Sequence, residues 1–163
     1  MRWRRWLLAV TGYLLVAGIV GLSAAAGWFY WDRVQTRGEQ AARALLPQLA
    51  AKEIPEVFAY DYQTVERSLA AAYPLLTPDY RQEFQKSANT QIIPEAKKRE
   101  VVVQANVVGV GVMSAKRESA SVMVYLNRTV TDKSRQPLYD GSRLRVDFKR
   151  IGDKWLIAYI TPI

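Results

Sequence analysis

Asp61 is the carboxylate of this sequence whose neighbours best suit acid–base chemistry. It lies between Tyr60 and Tyr62 in the stretch AYDYQTVERSL. An apolar site can raise the pKa of a carboxyl group until it exchanges protons near neutrality, and a tyrosine beside it would serve as the acid. The same residues also suit a contact that only stabilises the fold. Their role therefore depends on what the rest of the chain offers them.

Few other residues could complete such a site. Tyr125 and Asp147 are the remaining candidates. Asp147 alternates onto the same strand face as Arg145 and Lys149, so we expect it at the surface. The sequence has no His and no Cys, which excludes thiol nucleophiles, Ser/His catalysis and the usual zinc and haem ligands. We therefore predict no enzyme activity, no cofactor and no metal.

The YDY segment (Tyr60, Asp61 and Tyr62) also has a structural interpretation. Asp61 precedes Thr64, the expected N-cap of a helix, where aspartate commonly accepts free backbone N–H groups and favours the helix dipole. The two tyrosines would then tie this helix to the one before it. We predict that the YDY segment is a structural joint between helices, with catalysis by Asp61 as the alternative.

An apolar segment near the N-terminus predicts a single membrane span. No charged side chain occurs from Leu7 to Gly27, and a helix of that length covers about 31 Å, close to the ~30 Å hydrocarbon core. Arginines and tryptophans flank the span, as at membrane interfaces. They are Arg2, Trp3, Arg4, Arg5 and Trp6 before it and Trp28 and Trp31 after it. The segment exceeds the apolar region of a cleaved signal peptide, and the dense arginines predict a cytoplasmic N-terminus.

Small residues recur every four positions within this span. Ala17, Gly21 and Ala25 share one helical face, and Gly18 lies beside it. Such a face lets a second helix approach closely, so we predict packing against a partner helix in the membrane. The alternative is that glycine and alanine are simply common in membrane spans.

Helical patterns fill the chain from Asp32 to about residue 100. In the first helix, Pro47 and Pro55 predict a kink and an end. Thr64 and Thr77 are the expected N-caps of the next two helices. The predicted buried positions are Val34, Ala41, Leu45 and Leu49 in the first helix and Val65, Leu69, Ala72, Tyr73 and Leu76 in the second.

At Val101 the apolar period changes from 3.6 to 2, which predicts about four antiparallel strands. Gly109 and Gly111 would permit a bend or a close backbone approach in the first of them. The predicted fold class is α+β, with helices covering one face of a curved sheet. The resulting concavity holds an apolar ligand or is filled by the core. Its candidate lining residues are Met123, Phe148, Trp155 and Tyr159.

The positive charge of the chain is dispersed. The net charge is +8, and three of these charges lie in the first five residues. The remaining lysines and arginines form no clustered stripe and no nucleic-acid-binding motif, so we predict a solvated surface and no nucleic-acid partner.

Several ordered segments resemble a known family. They are YDYQTVERSL, LTPDYRQEF, VVGVGVMSA, VYLNRTVTD and DGSRLRVDFKRIGDKWLIAYITPI. Their order and spacing, from about Arg37 to Ile163, are similar to those of the Mce-associated membrane proteins of actinobacterial envelopes. The resemblance implies an NTF2-like (SnoaL-like) cone outside the membrane. It also implies an accessory role with the Mce lipid importers, which are hexameric tubes driven by an ABC permease. Members of the family are expected to stabilise these importers and not to catalyse a reaction.

We thus expect four regions: a basic cytoplasmic tail (1–6), a transmembrane helix with its outer aromatic belt (7–31), a membrane-proximal helical linker (32–58) and an extracytoplasmic NTF2-like domain (59–163). The predicted function is a non-catalytic accessory subunit of an Mce-type lipid or fatty-acid import complex in the bacterial inner membrane. Its expected partners are the bilayer, Mce proteins and permease subunits, with contact to lipid. The alternatives are a carrier of an apolar ligand and a cone-fold enzyme that uses Asp61.

Overall fold

The computed structural model describes the backbone from residue 2 to residue 163, with side chains at positions 18, 20–23, 26–28, 30–31 and 33–163. The chain divides into two compact units, Met1–Arg37 and Gly38–Ile163. The helices are α1 (Arg2–Phe58), α2 (Val65–Ala72), α3 (Pro78–Ser87) and α4 (Ile93–Arg99). The strands are β1 (Tyr60–Asp61), β2 (Val102–Ala115), β3 (Ser119–Thr131), β4 (Leu138–Ile151) and β5 (Lys154–Pro162).

The predicted membrane anchor falls mostly on residues whose side chains lie outside the described part of the chain. These are Arg2, Trp3, Arg4, Arg5, Trp6, Ala17 and Ala25. Gly18, Gly21, Trp28 and Trp31 are described, and all four are exposed. Among the described residues, no helix has the length and hydropathy that a membrane span requires.

The second unit is an α+β fold with a curled antiparallel sheet. The five strands lie in the order β1-β2-β3-β4-β5, each antiparallel to its neighbours. The prediction of about four strands accounts for β2 to β5 but misses β1, in which Tyr60 pairs with Val103 and Asp61 with Val102. A strand of two residues is too short to show an alternating pattern, so only the pairing with β2 reveals it.

The prediction of the buried face of α1 is wrong by one position. The side chains that enter the core are those of Ala42, Leu46, Ala50, Ile54 and Val57, each with at most 3% of its surface exposed. Leu45, predicted to be buried, is 47% exposed. Apolar residues occupy both neighbouring faces of this helix, so the sheet against which the helix packs decides which face is buried.

The two prolines of α1 neither end nor divide the helix, which continues through Pro47 and Pro55 to Phe58. A proline removes the hydrogen bond to the carbonyl group four residues earlier. Here those carbonyl groups belong to Arg43 and Ala51, and both residues are exposed. Water can therefore hydrogen-bond these groups, and the helix tolerates both prolines.

Thr64 and Thr77 occupy the predicted N-cap positions of α2 and α3, but neither makes a side-chain capping bond. Thr77 is buried, and its backbone N–H donates to the carbonyl oxygen of Ile157 at 2.9 Å. This bond ties the start of α3 to the outer edge of β5. The prediction of where both helices start is therefore confirmed, whereas the prediction of side-chain capping is wrong.

The apolar stripe of α2 and the alternation in β4 are confirmed. Val65, Leu69, Ala72 and Leu76 are buried, and Tyr73 is half-buried. Leu144, Val146 and Phe148 are also buried, and they line the concave face of the sheet. The β2–β3 register shifts between Val107 and Gly109 and again between Val112 and Ser114, so one of the two irregularities of β2 lies beside Gly109.

Candidate functional site

The Asp61 carboxylate is engaged by the backbone of its own turn. Its Oδ1 accepts a hydrogen bond from the N–H of Gln63 at 2.8 Å, and its carbonyl oxygen accepts one from the N–H of Thr64 at 2.9 Å. The residue also forms half of strand β1, so the YDY segment is a strand and turn rather than a direct helix-to-helix joint. This arrangement is an Asx turn, in which the side chain fixes the path of the backbone.

The tyrosines on either side of Asp61 have separate surroundings. Tyr60 packs in a small core cluster, where burial raises the pKa of its hydroxyl group although the positive charge of Arg128 opposes the shift. The hydroxyl group of Tyr62 accepts a hydrogen bond from the side-chain amide of Gln63 at 3.1 Å. A tyrosine whose pKa lies above its usual value of about 10 is a weak proton donor at neutral pH. The geometry thus favours the structural interpretation of the YDY segment.

The other predicted site residues do not converge on one place. Tyr125 is exposed on the outer face of the sheet, and Asp147 there accepts hydrogen bonds from Ser121 and Arg145. Among the predicted lining residues, Phe148 and Trp155 belong to the core. Met123 lies opposite Gly111 and Arg145 in the sheet register, and Tyr159 packs against Tyr80 with ring centroids 5.3 Å apart. These four residues do not line a common cavity.

An ion pair occupies the concave face of the sheet. Arg128 and Asp140 lie directly opposite each other in the β3–β4 register, and Arg128 donates to Asp140 through both Nε and Nη2. The hydroxyl group of Ser142 also donates to Asp140, at 3.1 Å. These hydrogen bonds hold the pKa of the Asp140 carboxyl below its usual range. The guanidinium group lies 5.8 Å from the ring centroid of Phe58, a cation–π distance.

A cavity of about 570 Å³ lies beside this ion pair, between the helices and the sheet. Its apolar lining comes from the end of α1, from α2, α3 and the following π-helical turn, and from strands β2 to β4. The principal apolar lining residues are Val57, Leu69, Phe84, Ile92, Val103 and Val130. Tyr60, Tyr139, Arg128 and Asp140 supply its polar groups. The volume falls in the range of small-molecule sites.

Glu53 is a second charged residue in an apolar setting. It lies on the buried face of α1 with 8% of its surface exposed, and its Oε2 has no hydrogen-bond partner among the described residues. Burial raises the pKa of this carboxyl to about 7, and the negative charge of Glu56 adds to the shift. Within the described residues, no group of three or more acidic, His or Cys side chains could hold a metal.

The sequence has relatives among mycobacterial proteins. No protein-family model matches the sequence. An outer membrane protein of Mycobacterium tuberculosis is 27% identical over 164 residues, covering 100% of both chains. An uncharacterized protein of the same species is 25% identical over 166 residues, covering 97% of this chain and 75% of the relative. The chain is therefore similar to a mycobacterial outer membrane protein along its whole length.

Solved structures with the same fold come from type IV secretion systems. An IcmL-like type IV secretion system protein from Legionella pneumophila superposes with a TM-score of 0.63 at 15% identity, covering 74% of this chain and 93% of that chain. The periplasmic domain of DotI gives a TM-score of 0.63 at 14% identity, covering 74% and 94%. The VirB8 protein of Agrobacterium tumefaciens gives 0.54 at 11% identity, covering 68% and 84%. At these identities the likeness establishes the fold alone.

The sequence interpretation names Tyr60 but not the charged residues Arg128 and Asp140 of the cavity, although a signal for them exists. In β3 and β4 the even-numbered positions face the core, and Arg128 and Asp140 interrupt that apolar series. Glu53 similarly interrupts the buried face of α1. A charge in the apolar register of an element is the pattern that would have drawn attention to each of them.

Proposed function

We propose that this protein is a non-catalytic, membrane-anchored accessory subunit of an Mce-type lipid-import complex. The observation that carries the proposal is the joining of two parts in one chain: an apolar N-terminal segment flanked by arginine and tryptophan, and a cone-shaped α+β domain. Solved examples of this fold include the periplasmic domain of DotI. A relative that spans the full length of the chain is named an outer membrane protein.

The chemistry of the cone supports a role in assembly rather than in catalysis. Asp61, the strongest candidate base, accepts a hydrogen bond from its own turn. The Mce assignment itself rests on the ordered segments from YDYQTVERSL to DGSRLRVDFKRIGDKWLIAYITPI, which resemble those of Mce-associated membrane proteins. In this proposal the N-terminal segment spans the inner membrane, the cone lies in the periplasm, and both contact Mce and permease subunits.

Affinity purification of the full chain from its native membranes in mild detergent tests this proposal. We expect Mce proteins and permease subunits to be recovered with it in fixed proportion. Repeated recovery of the chain alone at its normal expression level would contradict the proposal. Recovery with the subunits of a secretion system instead would replace the Mce assignment while keeping the role of an accessory subunit.

A matched pair of variants tests the small-residue face of the N-terminal segment. A Cβ atom added at Gly21 has nothing within 4 Å beyond its own helix, so Gly21→Leu adds bulk to the small-residue face at a position with free space. Val20→Leu changes an exposed position off that face and is the control. We expect Gly21→Leu alone to lower the recovery of permease subunits. Equal recovery with both variants would exclude this face as the contact.

A further inference from the structure

The concave face of the sheet carries charges where its register calls for apolar side chains. Arg128 lies between Leu126 and Val130 in β3, and Asp140 shares the inner face of β4 with Leu144. Their side chains are 31% and 40% exposed. Charged groups are costly to bury. Packing of the core therefore does not explain why two charged residues occupy apolar positions beside a cavity.

The cavity next to these charges has one polar end and one apolar body. Arg128, Asp140 and the hydroxyl-bearing residue Tyr60 lie among its lining residues, while the helices and β2 supply aliphatic and aromatic side chains. Leu138, an aliphatic lining residue, is 67% exposed, so part of the apolar wall is open to solvent. A molecule that fits this cavity therefore has an apolar chain and a small polar head.

The charge balance of the polar end restricts what that head can be. Arg128 and Asp140 neutralise each other, and together they offer both donors and acceptors. A charged head group would leave one unmatched charge in a half-buried site, which is unfavourable. An uncharged head with hydroxyl groups can accept from Arg128 or Tyr60 and donate to Asp140 without that penalty.

We propose that this cavity binds a single-chain amphiphile with an uncharged, hydroxylated head, such as a monoacylglycerol. The acyl chain lies against Phe84, Ile92 and Val103, and the head lies at the Arg128–Asp140 pair. This site is separate from the predicted lining residues Met123, Phe148, Trp155 and Tyr159. It is also independent of the proposed accessory function, because a subunit can assemble a complex without holding a lipid.

Photolabelling of the full chain in vesicles tests the site. Phosphatidylcholine vesicles would contain the full chain and a monoacylglycerol with a diazirine in its acyl chain, and mass spectrometry would locate the attached label. We expect label on residues 84–92 and 130–138. Labelling confined to residues before Gly38 would show contact with the bilayer only and would overturn the proposal.

Two substitutions on β4 form a matched pair for the same assay. Leu138→Asp introduces a charge into the wall of the cavity, whereas Ile151→Asp introduces one at an exposed apolar position of the same strand outside the cavity. We expect Leu138→Asp to reduce labelling at least about tenfold, because a carboxylate beside an acyl chain must lose water. Ile151→Asp leaves labelling unchanged. Equal labelling of both variants would overturn the proposal.

The class of head group is tested with two probes that share one acyl chain. At pH 8 a diazirine fatty acid has a charged head, whereas the monoacylglycerol does not. We expect the cavity to favour the monoacylglycerol, and the double variant Arg128→Met/Asp140→Leu to lose that preference while still accepting the chain. Equal or stronger labelling by the fatty-acid anion would overturn the assignment of an uncharged head.

Discussion

At the scale of single residues, the Asp61 side chain acts as a hydrogen-bond acceptor for its own turn. In the turn after β1, the N–H of Gln63 donates a hydrogen bond to Asp61 Oδ1 at 2.8 Å. A carboxylate held by its own backbone in this way positions the chain at the entrance to α2. The preceding residue, Tyr60, pairs with Val103 and lines the cavity. Tyr60 and Asp61 therefore have different roles.

Substitutions at Asp61 test whether its side chain stabilises the fold as a hydrogen-bond acceptor or through its charge. Asp61→Ala removes the acceptor, and we expect it to lower the free energy of unfolding by about 1 kcal/mol. Asp61→Asn keeps a carbonyl oxygen in the same place, so its effect should stay within about 0.5 kcal/mol. Denaturant unfolding of both variants measures this difference. If the two substitutions were equally damaging, the charge and not the acceptor would be the essential feature.

Glu53 makes the stability of the fold depend on pH. Below about pH 4.5 its carboxyl is protonated in both the folded and the unfolded chain. Between there and about pH 7, the unfolded chain releases the proton while the folded chain keeps it, so the free energy of unfolding falls as pH rises. Above about pH 7 the carboxyl is ionised in both the folded and the unfolded chain, and the free energy of unfolding falls no further on its account.

Glu53→Gln should remove this dependence. After allowance for solvent screening, we expect the variant to gain about 2 kcal/mol at pH 8 and almost nothing at pH 4, as measured by denaturant unfolding. Glu56→Gln is the control on the same helix. Its gain should be much smaller, because its exposed side chain affects Glu53 only through its charge. If Glu53→Gln changed the free energy of unfolding equally at pH 4 and pH 8, ionisation of the buried carboxyl would not be the source of the pH dependence.

At the scale of elements, α1 combines a correct prediction with a wrong one. Helix formation itself follows from local sequence, and the helix runs to Phe58 as one element. Which side of it is buried does not follow, because Leu45, Leu46 and Leu49 offer competing apolar stripes. Contact with the sheet selects Leu46, whose side chain is fully buried. Helical periodicity therefore predicts an apolar face only where the other faces are polar.

Two adjacent leucines test this assignment. Leu46→Ala should lower the free energy of unfolding by about 3 kcal/mol, the typical loss when a buried leucine leaves a cavity. Leu45→Ala, at a position that is 47% exposed, should cost less than about 1 kcal/mol. Denaturant unfolding of the two variants under identical conditions gives the comparison. If Leu45→Ala lowered the free energy of unfolding more than Leu46→Ala, the buried face of α1 would be the one predicted from the sequence.

At the scale of the whole molecule, the compact unit that contains the sheet also contains α1 from Gly38 onward. The sequence interpretation separates a helical linker, residues 32–58, from a cone that starts at residue 59. In the structure, the compact unit begins at Gly38, and Leu46, Ile54 and Val57 belong to its core. A helix that supplies core side chains is part of the domain, because those side chains lose their burial when the helix is removed.

Two fragments distinguish these boundaries. We expect residues 38–163 to unfold cooperatively and to show the near-ultraviolet circular dichroism of a packed core. Residues 59–163 lack the core side chains of α1 and should show neither property. Circular dichroism and thermal unfolding of both fragments check the prediction. A cooperative transition in the shorter fragment would make residues 32–58 a true linker.

The sequence by itself determined those features that depend on local pattern. The change of period at Val101 predicts where helices give way to strands, and the alternation through Leu144 and Phe148 predicts one buried sheet face. The absence of His and Cys excludes thiol nucleophiles, Ser/His catalysis and the usual zinc and haem ligands. Each of these conclusions needs only the side-chain period of a single element or the inventory of residue types, which the sequence states directly.

The tertiary structure decided what depends on two elements meeting. The pairing of Tyr60 with Val103 and the opposition of Arg128 and Asp140 each join positions far apart in the chain. The cavity arises only where helices from the first half of the chain cover strands from the second. Register and packing set these contacts, and both are fixed by the whole fold rather than by any one segment.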